Sequence, residues 1–159
     1  MNASKTSPFV LFKFFALAEA VTWTLLISAL ILRATANPSP LVLTIAGSIH
    51  GAVFLGYGVI SALVGVNQRW GFWKIALGTA LAIVPYATIP FERAVQKSGS
   101  LEGEWRKNHS GLKSDDHWFD RLFRWFINRP VLLALALVAV VVVIFSVLIY
   151  LGPPSEWAK

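Results

Sequence analysis

Cysteine is absent, methionine occurs once, and charged residues make up only 14% of the 159 positions. The first absence rules out a disulfide, a thiolate nucleophile, thioether-attached haem and a cysteine-ligated iron–sulfur cluster. The scarcity of charge, with 56% hydrophobic residues and a mean hydropathy of +0.63, excludes an ordinary soluble globular domain. Catalytic signatures are missing too: the sequence has no nucleophile elbow, phosphate loop or zinc-protease pattern. Its three imidazoles, His50, His109 and His117, include no i, i+4 pair, so neither a metal centre nor a cofactor is expected. The net charge of +6 comes from loops and span ends, which reads as a topology signal facing lipid headgroups; no nucleic-acid partner is expected.

What the chain does contain is apolar length. Four stretches are each about the ~20 residues needed to cross a bilayer: Phe14 to Leu32, Leu41 to Val66, Phe72 to Pro90, and Pro130 to Leu151. The expected fold is therefore all-α, a polytopic membrane protein of four transmembrane helices plus one amphipathic interfacial helix. Residues 9–95 form a three-helix membrane core, 96–129 a polar loop with the interfacial helix, and 130–151 the fourth span. The first stretch follows Lys5 and Lys13 and ends near Ala34-Thr35-Ala36, as a signal peptide would, but its length, Glu19 and Arg33 fit a retained span better. Four crossings put the first and third loops, with nine basic residues, on one side, against five in the tails and second loop. That count leans to both termini outside.

The intramembrane polar candidates are Glu19, His50, Tyr86, Glu92 and Arg93. Glu19 lies roughly 9 Å below the interface, too deep for its side chain to reach water easily, so it should face protein. It could accept a proton or bind an ion; the plainer reading is a glutamate that fixes helix pairing, against a hydroxyl or Trp70. His50 suits a packing hydrogen bond better than ligation. Antiparallel threading puts Glu19 near Asn67 and Arg69, and His50 in the other half with Tyr86, Thr88 and the Glu92-Arg93 pair. A proton path from Glu19 through His50 to Tyr86 would need waters.

Packing signals are stronger. Gly47 and Gly51 form a G-x-x-x-G ridge, and Gly78 with Ala82 its small-residue equivalent, both suited to close helix docking. In Asp115 to Asn128, Trp118, Phe119, Leu122, Phe123, Trp125 and Phe126 recur at helical spacing opposite a polar face, with Ser114 as a candidate cap. That helix should lie in the headgroups or dock on a partner.

Ala18-Glu19-Ala20 with Trp23, Ile49-His50-Gly51 with Phe54 and Tyr57, and Pro85 through Phe91-Glu92-Arg93 carry a family resemblance. Over about Phe9 to Val95 the chain resembles an actinobacterial family of small integral membrane proteins described only as a domain of unknown function. The resemblance implies a three-helix core, extended here by the third loop and fourth span, and no set activity. That family's second loop is typically basic, which resembles an inside loop and argues against the orientation above. It also suggests an actinobacterial source, where small extra subunits accompany the cytochrome bcc–aa3 respiratory supercomplex.

The expectation is a non-enzymatic accessory or assembly subunit of a larger complex in a bacterial plasma membrane, in contact with lipid and other membrane subunits. The alternative is a small proton or solute conductor using Glu19 and His50. An enzyme acting on lipid at the Glu92-Arg93 edge has no nucleophile or metal set behind it.

Overall fold

A computed structural model describes residues 7–36, 38–111 and 116–152, and every regular element among them is helical. In chain order these are α1 (Pro8–Ala36), α2 (Pro40–Asn67), α3 (Phe72–Ala80) with a 3₁₀ turn (Leu81–Ile83), α4 (Thr88–Lys97), α5 (Trp118–Ile127) and α6 (Pro130–Leu151). Three of them, α1, α2 and α6, are long and apolar enough to cross a membrane; Phe72–Ile83 is a shorter apolar helix. At 1.5 Å per residue even the 22 residues of α6 span about 33 Å, against a hydrocarbon core of about 30 Å.

Helices α1 and α2 pack antiparallel along their length. The rings of Phe12 and Tyr57 lie 5.7 Å apart at one end, and Thr22 meets His50 at 3.1 Å further along. Pro40 opens α2 at a position where its missing N–H costs nothing, and the Ser39 hydroxyl accepts the Leu41 N–H. Helix α6 runs antiparallel to α2, with Phe145 against Gly51 and Leu137 against the core.

The expected third span, Phe72 to Pro90, differs from the structure in kind. Helix α3 ascends beside α2, with Ile75 at Gly65 and Thr79 at Gly58, and the Trp23 indole N–H donates to the Ala82 carbonyl at 3.1 Å. The chain then reverses. Pro85 cannot donate a helical hydrogen bond, and the residue before a proline is pushed to extended backbone, which Val84 adopts at φ −99° and ψ 121°. Tyr86 takes φ +65°, and the Ala87 N–H donates to the Val84 carbonyl at 3.1 Å, the pattern of a type II turn. Pro90 then falls in the first turn of α4, where it is tolerated.

Helix α4 descends α1. The Thr88 hydroxyl donates to the Ala16 carbonyl at 3.2 Å, and the Phe91 ring sits 6.3 Å from Phe12. At the foot, the Trp70 indole N–H donates to the Ser100 carbonyl at 2.8 Å and the Lys74 ammonium to the Ser100 hydroxyl at 2.7 Å. Both ends of the α3–α4 hairpin therefore lie at the same end of the bundle. Its ascending limb is roughly 20 Å long, shorter than the bilayer core. In place of one straight helix, the expected third span is the ascending limb of an apolar hairpin whose two ends lie at the same end of the bundle, and three helices are long enough to cross.

The interfacial helix, α5, begins at Trp118, later than Asp115; Ser114 and Asp115 lie outside the described residues. Phe123 and Ile127 turn toward the protein, while Trp118, Phe119, Leu122 and Trp125 stay exposed.

Candidate functional site

Three elements bring buried polar groups together at mid-bundle. Glu19 from α1 is fully buried, as are Tyr57 and Ser61, one turn apart on α2, and Thr88, one turn before buried Glu92 on α4. The Tyr57 hydroxyl is within electrostatic reach of both Glu19 and Glu92. Neither carboxylate oxygen of Glu19, nor Oε1 of Glu92, the Tyr57 hydroxyl or the Ser61 hydroxyl has a hydrogen-bond partner among the described residues. Buried polar atoms are nearly always paired, so five unpaired oxygens in one region mark the least ordinary chemistry in the chain.

The hairpin is what assembles this cluster. Had the third stretch crossed the bilayer, Glu92 would have emerged beyond Tyr86; because the chain folds back at Pro85, Glu92 returns to the level of Tyr57. Its neighbour Arg93 is exposed, so the Glu92-Arg93 pair expected from sequence separates onto two faces of α4. Asn67, expected near Glu19, belongs elsewhere: its amide donates to the Glu104 carbonyl at 3.2 Å and its Oδ1 accepts the Arg106 N–H at 2.9 Å.

His50 belongs to a second, satisfied group. Its Nδ1 lies 3.1 Å from the Thr22 hydroxyl, its ring centre lies 4.5 Å from that of Trp23 at a tilt of 54°, and Phe54 lies 6.3 Å away. The Thr22 hydroxyl also sits 3.0 Å from the Glu19 carbonyl. Tyr86 caps this region from the hairpin tip, its hydroxyl 3.2 Å from that of Thr24. No group of three or more acidic, histidine or cysteine side chains suited to a metal occurs among the described residues.

The glycine faces are used unevenly. A methyl group added at Gly78 would meet the Phe91 ring at 2.7 Å and the Ser61 hydroxyl at 3.0 Å, and Ala82 beside it is buried. Gly51 faces Phe145 of α6, whereas Gly47 has open space around it, so the two do not act as one ridge. Gly56 and Gly65, outside the expected ridge, make the tight approaches of α2: a methyl group there would come within 2.7 Å of Phe15 and 2.5 Å of Ile75.

Sequence reasoning also passed over Arg106. Its guanidinium donates to the Asn67 carbonyl at 2.9 Å, the Val66 carbonyl at 2.8 Å and Asp120 at 2.7 Å, and lies 5.1 Å from the Phe123 ring centre. One cation thus satisfies the last carbonyls of α2, where the helix dipole favours positive charge, and ties α5 to them. A lone arginine in a polar loop carries no sequence signal for this role.

These features define a class: a multi-pass helical membrane protein whose buried acidic cluster is completed by a helical hairpin. Residues 9–97 match the family described as "Domain of unknown function (DUF3817)", and since the match covers more than half of the chain, the protein belongs to that family. It is also similar to a Streptomyces coelicolor protein named only as a membrane protein, with 32% identity over 91 residues. That stretch is 57% of this chain and 11% of the relative, so the chain corresponds to a small part of a much longer protein. No solved structure matches the chain.

Proposed function

We propose that this protein is a non-enzymatic accessory subunit that docks on a larger membrane protein. One observation carries the reading: a stretch similar to the family core makes up about a ninth of a much longer protein named as a membrane protein, where it is covalently joined to a larger remainder. A module joined to a larger membrane chain in a relative is well placed to act beside a partner. Helix α6 supports this, since none of its residues is buried within the chain. The exposed aromatic side of α5 continues that surface at the membrane boundary.

The membrane concerned is a bacterial plasma membrane in this reading, with the Trp70 end in the cytoplasm. At that end lie Lys13, Arg69, Lys74, Arg93, Lys97, Arg106, Lys107, Arg121, Arg124 and Arg129; at the Ser39 end Arg33 alone among the described basic residues. The positive-inside rule supports the amino terminus inside.

Purification of the tagged protein from its native membrane in mild detergent, followed by native electrophoresis and mass spectrometry, should recover a larger membrane protein in constant ratio. The same experiment includes or removes the cytochrome bcc–aa3 supercomplex as that partner. Recovery of this chain alone would end the accessory reading.

A second reading is favoured by the unpaired oxygens of Glu19, Tyr57, Ser61 and Glu92: an intramembrane site that takes up and releases protons or small cations. Under it, Glu19→Gln should abolish flux in proteoliposomes that the unaltered protein supports. Equal flux in the two would remove it.

A further inference from the structure

Between α1, α2 and α6, at the Trp70 end, lies a cleft of about 750 Å³. Its walls are apolar, Leu11 and Phe14 from α1, Ile60 and Leu63 from α2, Leu133 and Leu137 from α6, and its rim carries Lys107, Trp105 and Asn128. The volume is that of a site for one ligand of drug or lipid size. Helix α6 creates it by packing on α2 while standing away from the first turns of α1.

We propose that this cleft holds one anionic phospholipid, an acyl chain between α1 and α6 and the phosphate at Lys107. Charge complementarity selects this occupant. Lys107 lines the mouth and is exposed, and the carboxylate of Asp120 is taken up by Arg106. The mouth is thus cationic and the interior apolar, the two-part chemistry of an anionic lipid. Trp105 and Asn128 place an amphipathic ring and an amide at headgroup depth. A second copy of this chain would bring the same basic rim against its own, which like-charge repulsion opposes.

The test uses the full chain in nanodiscs of phosphatidylcholine with a minor fraction of phosphatidylglycerol, followed by detergent extraction and native mass spectrometry. The unaltered protein should retain one phosphatidylglycerol in preference to phosphatidylcholine. Lys107→Glu should lower that preference by about fivefold or more, the scale of one lysine near an anionic surface. Ala134→Phe, which fills the cleft from α6, should reduce retention of both lipids while leaving the melting temperature unchanged. Equal retention of the two lipids, a preference that survives Lys107→Glu, or a lipid-free dimer would each overturn the proposal. Should Ala134→Phe fail to fold, Lys107→Glu, at an exposed position, still decides.

Discussion

The Trp70 indole N–H and the Ser100 carbonyl meet at 2.8 Å, joining two residues 30 positions apart that bound an excursion through the membrane interior. Everything between them, α3, the turn at Pro85 and α4, is closed at its foot by this bond. Trp70 also stands edge-on to Phe12 at 5.7 Å and Phe91 at 6.2 Å, so the bond anchors an aromatic cluster spanning α1, α2 and α4. Replacing Trp70 with Phe keeps much of that packing and deletes the donor. It should cost about 1–2 kcal/mol, one net hydrogen bond plus lost ring area. A lower melting temperature in detergent checks it.

The number of crossings is directly measurable, and the absence of cysteine makes single substitutions clean probes. Thr35 and Glu102 are both exposed, at opposite ends of the bundle. Four crossings would put them on the same side of the membrane; three crossings with a hairpin put them on opposite sides. In spheroplasts, an impermeant maleimide should label Thr35→Cys and spare Glu102→Cys until the membrane is opened. Labelling of both, or of neither, before opening would return the four-span arrangement.

Much of this could be read from the residues, and the exceptions have physical causes. The three long helices follow from apolar length alone, and the buried position of Glu19 from the cost of placing an acid in lipid. Pro85 and Pro90 stand near the end of the third stretch, but an apolar run of nineteen residues satisfies a crossing and a hairpin equally well, because only tertiary contacts say which side the chain leaves from. The inward turn of Glu92 and outward turn of Arg93 depend on that same choice. Arg106 is beyond sequence logic for another reason: its partners at Val66, Asn67 and Asp120 lie 40, 39 and 14 residues away.

Tyr86 has a positive φ of 65°, a conformation that favours glycine and strongly disfavours β-branched side chains. Tyr86→Val should therefore destabilise the hairpin by about 2–3 kcal/mol, combining backbone strain with loss of the hydroxyl contact to Thr24. Tyr86→Gly loses the same hydroxyl contact but relieves the strain, so it should melt closer to the unaltered protein than the valine variant. The reverse order would mean that the ring, not the turn, determines stability here.

Arg106→Gln removes the cation that holds the α2 carboxyl end against Asp120. The pair is mostly buried, with side chains 17% and 20% exposed, so the loss is not screened away as at an open surface. About 2–3 kcal/mol should be lost, in line with charge-assisted hydrogen bonds whose partners are left unmet. Hydrogen exchange should rise in α5 and in the last turn of α2, while the α3–α4 hairpin, tied through Ser100, keeps its protection.

The glycines on the two docking faces give opposite expectations from one substitution. At Gly47 a methyl group meets nothing within 4 Å, so Gly47→Ala should be neutral or add about 0.5–1 kcal/mol through helix propensity. At Gly78 the same methyl would come within 2.7 Å of Phe91 and 3.0 Å of Ser61, and the Phe91 ring is already fixed between Phe12 and Trp70. Gly78→Ala should therefore push α3 away from α4 at a cost of about 1–3 kcal/mol, the usual penalty of overpacking. Melting of the two variants side by side separates a glycine that admits a neighbour from one that only thins the helix. Because Gly78, on one limb of the hairpin, faces Phe91 on the other and Ser61 of the acidic cluster, its alanine variant should also disturb whatever Glu19 and Glu92 do, whereas the Gly47 variant should leave that activity intact.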